Sequence, residues 1–399
     1  MKLSNTILLC MGTRPEIIKM APVYHALRAT DLEPLVLHTG QHREMADPMY
    51  DFFGMRPALS LDLERQRQTL SHLSALMVDK IGGILEDSAP AAVLVHGDTS
   101  SALMAALAAF YQQVPVGHVE AGLRSHCMYD PFPEEKNREL IGRLATWHFS
   151  PTAQARANLL REGIAEQAIH MVGNTIVDAV QLAGKMDGAR QEAIPELQQD
   201  LADLPGLLPG RRLVLVTSHR RENLNGPLAS VAGAVRDLLL ESPDLLVVWP
   251  VHANPRVQEV VHGALGDLPA EAAGRLFLTQ PMGYAALMWL LHRAWLVLTD
   301  SGGIQEEAAA VHTPILVLRE TTERPELIEA GAGRLVGTDR AVVTAAVREL
   351  ATRPALAAAM REAINPFGDG LAGQRIATLL SNHFIHHKNI CPAVSPASV

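Results

Sequence analysis

Asp98 and Glu120 each follow a buried-strand pattern, in VLVHGDTS and PVGHVEAGLRS, and the stretch between them, SALMAALAAFYQQ, has the Ala/Leu content of a helix. Residues 93–119 therefore predict a β-α-β unit with parallel strands. Both strand ends of such a unit emerge on one edge of the sheet, the edge on which open α/β sheets bind ligands. Two carboxylates over one crevice suit proton transfer on a bound small molecule.

Other segments point to anion binding. In ILLCMGTRPEIIKMAP a strand runs into Gly12 and Arg14, with Pro15 in the place of a first helical residue. The free N–H groups and dipole of that helix, with Arg14 and Lys19, would suit a diphosphate; an ordinary βα turn with exposed cations reads equally well. WLVLTDSGGIQEEAAAV sets Ser301, Gly302 and Gly303 between strand and helix, where small residues let a ligand approach the amides. Glu306 or Glu307 could accept hydrogen bonds from ribose hydroxyls there, although acids in an early turn also stabilise a helix by themselves. RLVLVTSHRRENL puts His219, Arg220 and Arg221 after a strand, where an imidazole could hold or protonate a phosphate. PFPEEKNRELIGR places Glu134 and Glu135 at a helix start, a pattern that dipole matching alone explains.

Neither G-x-G-x-x-G nor a P-loop occurs, so neither NAD nor ATP is indicated. The 17 histidines include no H-E-x-x-H pair, and His96, His118 and His148 read as packing residues on strands, so we expect no metal and no cofactor.

The elements that must position these groups follow from the rest of the chain. At 399 residues, 48% hydrophobic and poor in aromatics, it exceeds what one core usually holds, and two α/β domains are expected. Strands at 6–11, 34–38, 93–96, 115–119 and 147–150 alternate with helices at 15–29 and 69–87. A polar, Pro/Gly-punctuated segment at 184–210 precedes a second alternation: RLVLVTS, a helix at 227–241, LLVVWPVH, RLFLT, WLVLTDS, a helix at 303–311 and PILVLRE. The predicted architecture is two Rossmann-like, doubly wound domains facing a cleft. The first spans 1–173, the second 174–366; a final helix at about 367–385 crosses back to the first, and 386–399 forms a disordered tail.

A formal charge of −9, from 34 basic and 43 acidic residues, argues against nucleic acid as a partner. Three cysteines without paired spacing fit a reducing cytoplasm. The N-terminal apolar run reads as a strand rather than a signal peptide, and no stretch reaches transmembrane length, so no membrane partner is expected.

Taken in order, MGTRPEIIKMAP, GQHREM, VLVHGDTSS, GHVEAGLRS, PFPEEKNRELIG, HFSPT, GNTIVDA, SHRREN, PVHANP, TDSGGIQEEA, ETTERPE and NPFGDG closely resemble the non-hydrolysing UDP-N-acetylglucosamine 2-epimerase family over roughly residues 5–380. The resemblance implies a glycosyltransferase-B-like fold and reversible conversion of UDP-N-acetylglucosamine to UDP-N-acetylmannosamine, a precursor of bacterial surface polysaccharide. At matching positions it implies Asp98, Glu120, Glu134 and His219 as catalytic residues. Arg14 and Lys19 match the N-domain ligand site, and Ser301, Gly302, Gly303, Glu307 and Arg324 the UDP site. In some members a second UDP-N-acetylglucosamine acts as an allosteric activator, and Gln41, Arg67, Gln68, Arg220 and His252 resemble the residues used there. A homodimer is also implied.

Two positions depart from the family pattern. Leu287 stands where many relatives carry an aromatic beside uracil, and Ser218 where they often carry Gly or Ala. Readings with other activities are the same chemistry on another UDP-2-acetamido sugar, a hydrolysing epimerase, a glycosyltransferase, and a non-catalytic UDP-sugar sensor.

Overall fold

The computed structural model describes residues 5–40, 43–61, 63, 69–187, 199–218 and 226–390. Strands β1 (Thr6–Met11), β2 (Glu33–His38), β3 (Leu59–Ser60), β4 (Ala92–His96), β5 (Val116–Val119), β6 (Trp147–Ser150) and β7 (Ile169–Met171) form a parallel sheet in the order β3-β2-β1-β4-β5-β6-β7. Strands β8 (Arg212–Thr217), β9 (Leu245–Pro250), β10 (Leu276–Thr279), β11 (Leu296–Thr299), β12 (Ile315–Val317) and β13 (Gly333–Leu335) form a second, in the order β10-β9-β8-β11-β12-β13. Each order reverses once, between β1 and β4 and between β8 and β11. Those are the two points at which a doubly wound sheet opens a crevice.

The strand sequences explain why these sheets are parallel and covered. AVLVH of β4 and ILLCM within β1 are buried throughout, as continuous Val/Ile/Leu runs must be when helices lie on both faces. In the first unit, Leu73, Met77 and Ile81 of the helix Leu70–Ser88 and Ile141 of Glu134–Leu144 join β1 and β4 in one apolar cluster. In the second, Trp249 is wholly buried among Val231, Val235 and Val257 from the flanking helices. Helix starts follow the sequence: Thr99 accepts from the Ala102 amide at 3.0 Å, and Asp339 from Val342 at 3.0 Å.

The chain divides into two compact units, Met1–Ala179 with Gly368–Val399, and Val180–Phe367. The first division falls inside the helix Thr175–Asp187, whereas the sequence reading put it just before. The last helix, Ala372–Ile390, packs on the helix Arg14–Leu27. A methyl group on Gly373 would lie 2.9 Å from the Pro22 backbone, so glycine is what lets the two approach. The Gly373 amide donates to Asp178 at 2.8 Å. That helix runs to Ile390, into the stretch expected to lack structure; residues 391–399 lie outside the described residues. Among the described residues, no helix is long and apolar enough to cross a membrane.

His118 and His148 are neighbours across β5 and β6 and are almost fully buried. Burial, the largest influence on each ring, pushes His118 down to about 3 and His148 down to about 4. Both therefore stay neutral in the fold, while an unfolded chain takes up protons near about pH 6.5. Their contribution to stability is complete above about pH 6.5 and declines as pH falls towards the folded values. We expect their imidazole C–H resonances to keep neutral shifts from about pH 8 to 5, with the unfolding free energy falling over the same range. Ordinary titration of either ring near about pH 6.5 would show that it is solvated.

Candidate active site

The chain after β1 turns through Gly12 and Thr13 into the helix Arg14–Leu27. Thr13 is the cap, so Arg14 lies inside the first turn and Pro15 is not the first helical residue as expected. Lys19, one turn further on, is buried and donates to Glu120 Oε2. It is thus the partner of a carboxylate at the end of β5.

Glu120 leaves β5 with φ +65°, a left-handed conformation that non-glycine residues rarely adopt. His96, the last residue of β4, places Nε2 3.6 Å from Glu120 Oε2. Burial by itself would raise the Glu120 carboxyl, but Lys19 and then His96 hold it well below the usual carboxylate range. Gly97 has φ +66°, and a methyl group there would sit 4.0 Å from Glu120 Oε1. The turn that carries Asp98 therefore runs beside the Glu120 carboxylate. His118 Nε2 bonds the Gly97 carbonyl at 2.7 Å and supports that turn from below.

Asp98 is held from the helix Glu134–Leu144. Arg138 pairs with its carboxylate, and Asn137 Nδ2 donates to its carbonyl at 2.7 Å. Arg138 also reaches Glu135 at 3.1 Å. Glu135 accepts from the Ser125 and His126 amides at 2.9 and 3.0 Å, bonds that with Arg138 outweigh its burial and keep its carboxyl low. Of the two adjacent acids, Glu135 is thus committed to holding the loop after β5. Glu134, half-buried in the first turn, is the one read as catalytic.

In the second unit, Ser301 holds the N-cap position of the helix Gly302–Ala310, two residues after β11. Methyl groups built on Gly302 and Gly303 meet nothing closer than 3.7 and 4.0 Å, so packing does not demand glycine at either position. Arg324 Nε donates to Glu306 at 2.5 Å, while the Thr322 hydroxyl donates to Gln305 at 2.8 Å and accepts from the Arg324 amide at 3.0 Å. Glu306 is therefore paired with Arg324, and Glu307 beside it is buried as well. Ser218 donates to the fully buried Asp300 at 2.9 Å, a use for the hydroxyl that departs from the family pattern. Leu287 is buried in the helix Tyr284–Arg293, and His252 is exposed, accepting from the Asn254 amide at 3.1 Å. Gln41, Arg67, Gln68, His219 and Arg220 lie outside the described residues.

Sequence reasoning missed Glu16, Arg138 and Asn137. Glu16 is buried and accepts four hydrogen bonds from Gly12, Thr13 and Thr99. The Thr13-x-x-Glu16 spacing of a capping box was the available signal for it.

Comparison with known proteins decides the family. The family model for UDP-N-acetylglucosamine 2-epimerase matches residues 25–381. The chain belongs to the UDP-N-acetylglucosamine 2-epimerase family. It is 43% identical over 380 residues to the UDP-N-acetylglucosamine 2-epimerase of Escherichia coli K12, spanning 95% of this chain and 99% of that one. Identity to the Bacillus subtilis enzyme of that name is 39% over 383 residues, 96% of each chain. The crystal structure of the Neisseria meningitidis UDP-GlcNAc 2-epimerase, bound to UDP-GlcNAc, superposes with a TM-score of 0.83 at 35% identity, over 94% of this chain and 100% of that one. The two-domain, glycosyltransferase-B-like α/β fold is thus shared with epimerases of this family.

Lys19 offers a direct test of the electrostatics. Lys19→Met should destabilise this epimerase by about 3 kcal/mol near neutral pH, because it strands a buried carboxylate. Glu120 has a folded pKa below its unfolded value, so its paired contribution is present above about pH 4.3 and is lost as pH falls further. In the variant that gain is absent, and the gap from the parent should narrow on acidification. Denaturant unfolding at two pH values measures it; a gap that stays constant would contradict the pairing.

Proposed function

We propose that this chain epimerises UDP-N-acetylglucosamine at C2 to UDP-N-acetylmannosamine by elimination and re-addition of UDP. The observation that carries this reading is the Lys19–Glu120 pair beside the Asp98 turn, carboxylates on the ends of adjacent parallel strands, in a member of this family.

The C2 proton of an N-acetylhexosamine has no neighbouring carbonyl on the ring to acidify it. Breaking the C1–O bond first, with the electron pair leaving on UDP, creates an oxocarbenium-like C1 that makes the C2 proton labile. A carboxylate removes that proton and C1=C2 forms, giving a 2-acetamidoglucal. UDP then re-adds at C1 while C2 is protonated from the opposite face. Two or three acids are needed, and Asp98, Glu120 and Glu134 supply them, with His219 as the further catalytic group. Arg14 and amide dipoles stabilise the charge that develops on the departing diphosphate. Ser301, Gly302, Gly303, Glu307 and Arg324 bind UDP, the phosphates at the turn and the ribose at Glu307. A second UDP-N-acetylglucosamine as activator, through Gln41, Arg67, Gln68, Arg220 and His252, and a homodimer complete the reading. Hyperbolic kinetics with UDP-N-acetylmannosamine alone, without lag or stimulation, would count against the activator.

Incubation with UDP-N-acetylglucosamine in deuterated water, followed by proton NMR, should show UDP-N-acetylmannosamine with deuterium at C2. Free N-acetylmannosamine plus UDP would identify a hydrolase instead, and no turnover a sensor. Asp98→Asn and Glu120→Gln should each lower kcat by about 100-fold or more while UDP binding persists. Gly303→Ala gives a further check: thermal stability should be unchanged or slightly raised, since alanine is the better helix former, while UDP affinity falls about tenfold. Unchanged UDP affinity in that variant would remove the turn from the binding site.

A further inference from the structure

Glu16 is a buried acid beside the reacting groups to which the chemistry above gives no task. Its Oε2 accepts from the Gly12 amide at 2.9 Å, the Thr13 amide at 2.8 Å and the Thr13 hydroxyl at 2.8 Å. Its Oε1 accepts from the Thr99 hydroxyl at 2.6 Å. Gly12 and Thr13 form the turn that delivers Arg14, and Thr99 directly follows Asp98. One carboxylate therefore ties the turn after β1 to the turn after β4, across the point where strand order reverses.

The capping-box bonds alone would hold only the first of these turns. The bond to Thr99 is what makes the link long-range, and it is directional. Thr99 Oγ1 already accepts from the Ala102 amide at 3.0 Å, so its proton is the one free to point at Glu16. Burial pushes the Glu16 carboxyl upward, and the bonds from Thr99, Gly12 and Thr13 oppose that push. A carboxylate can accept from all four donors at once; an amide in its place must turn an N–H₂ group towards some of them.

We propose that Glu16 is a positioning residue for the epimerisation, acting through Thr99 to fix the Asp98 carboxylate relative to the Arg14 turn. The inference rests on the reading of Asp98 as a catalytic acid. It assigns Glu16 no proton transfer and no contact with substrate.

Steady-state kinetics of Thr99→Val, Thr99→Ser, Glu16→Gln and the Glu16→Gln/Thr99→Val double variant test it. Thr99→Val keeps the β-branched shape but removes the hydroxyl, and should lower kcat about tenfold or more with KM changed less than about twofold, the signature of lost transition-state geometry. Thr99→Ser should restore kcat. The double variant should be no worse than the poorer single one, because both changes cut the same bond. Since Thr99→Val also removes a helix cap, its melting temperature falls under either role, and kcat is the deciding reading. Parent-like kcat in Thr99→Val and Glu16→Gln, or losses that add fully in the double variant, would overturn the proposal. If Glu16→Gln fails to fold, the comparison of Thr99→Val with Thr99→Ser decides alone. Asp98→Asn separates the two levels: an active Asp98→Asn removes the catalytic reading of Asp98, whereas an inactive one beside a parent-like Thr99→Val removes only the role of Glu16.

Discussion

A parallel sheet that reverses its winding direction splits open at the strand ends where the reversal occurs, because the loops that follow lead away to opposite sides. The site depends on what holds those splits. In the first unit the split lies between β1 and β4, and Glu16 bridges it to Thr99. In the second it lies between β8 and β11, and Ser218 bridges it to Asp300, with Thr217 and Thr299 sharing a 2.6 Å hydroxyl bond beside them. Each bridge sets a buried acid against a hydroxyl, and each immediately adjoins residues assigned to the ligand: Asp98 and Arg14 in one unit, Ser301 in the other. Two sheets of unlike sequence have arrived at the same solution for the same topological defect.

Charge is placed around these splits under a strict desolvation constraint. Glu120 is tolerated because a buried ammonium faces it, and Asp98 because Arg138 does. Glu16 is met chiefly by amide and hydroxyl dipoles, which fix its orientation more tightly than a flexible cation would. The nearby imidazoles of His118 and His148 are kept neutral by burial, so they add hydrogen-bonding shape to the strand ends without competing for the carboxylates.

Much of the fold was legible because parallel strands covered on both faces announce themselves as apolar runs. VLVH, PVGHV and WLVLT each gave a strand, and the acids or small residues after them gave the edge where ligands bind. What stayed hidden was pairing across long stretches of chain. Glu16 finds Thr99 83 residues away, Lys19 finds Glu120 101 away, and Ser218 finds Asp300 82 away. A single sequence carries no trace of such separations. For the same reason the ion pairs Lys19–Glu120 and Arg324–Glu306 were not legible in the sequence. Local chemistry was readable at Thr13-x-x-Glu16, but only as a helix cap.

The helix Ala372–Ile390 carries a consequence for how the chain is made. It packs on the helix that bears Arg14, Glu16 and Lys19, so close that Gly373 all but touches the Pro22 backbone, and Asp178 caps its start. The first unit is therefore completed only after the whole of the second has been synthesised. Throughout translation of the whole intervening unit, the face of the Arg14–Leu27 helix around Pro22 that meets the later helix lacks its cover. The helix that bears Arg14, Glu16 and Lys19 thus has its packing completed by a segment that lies beyond a whole further unit in the sequence.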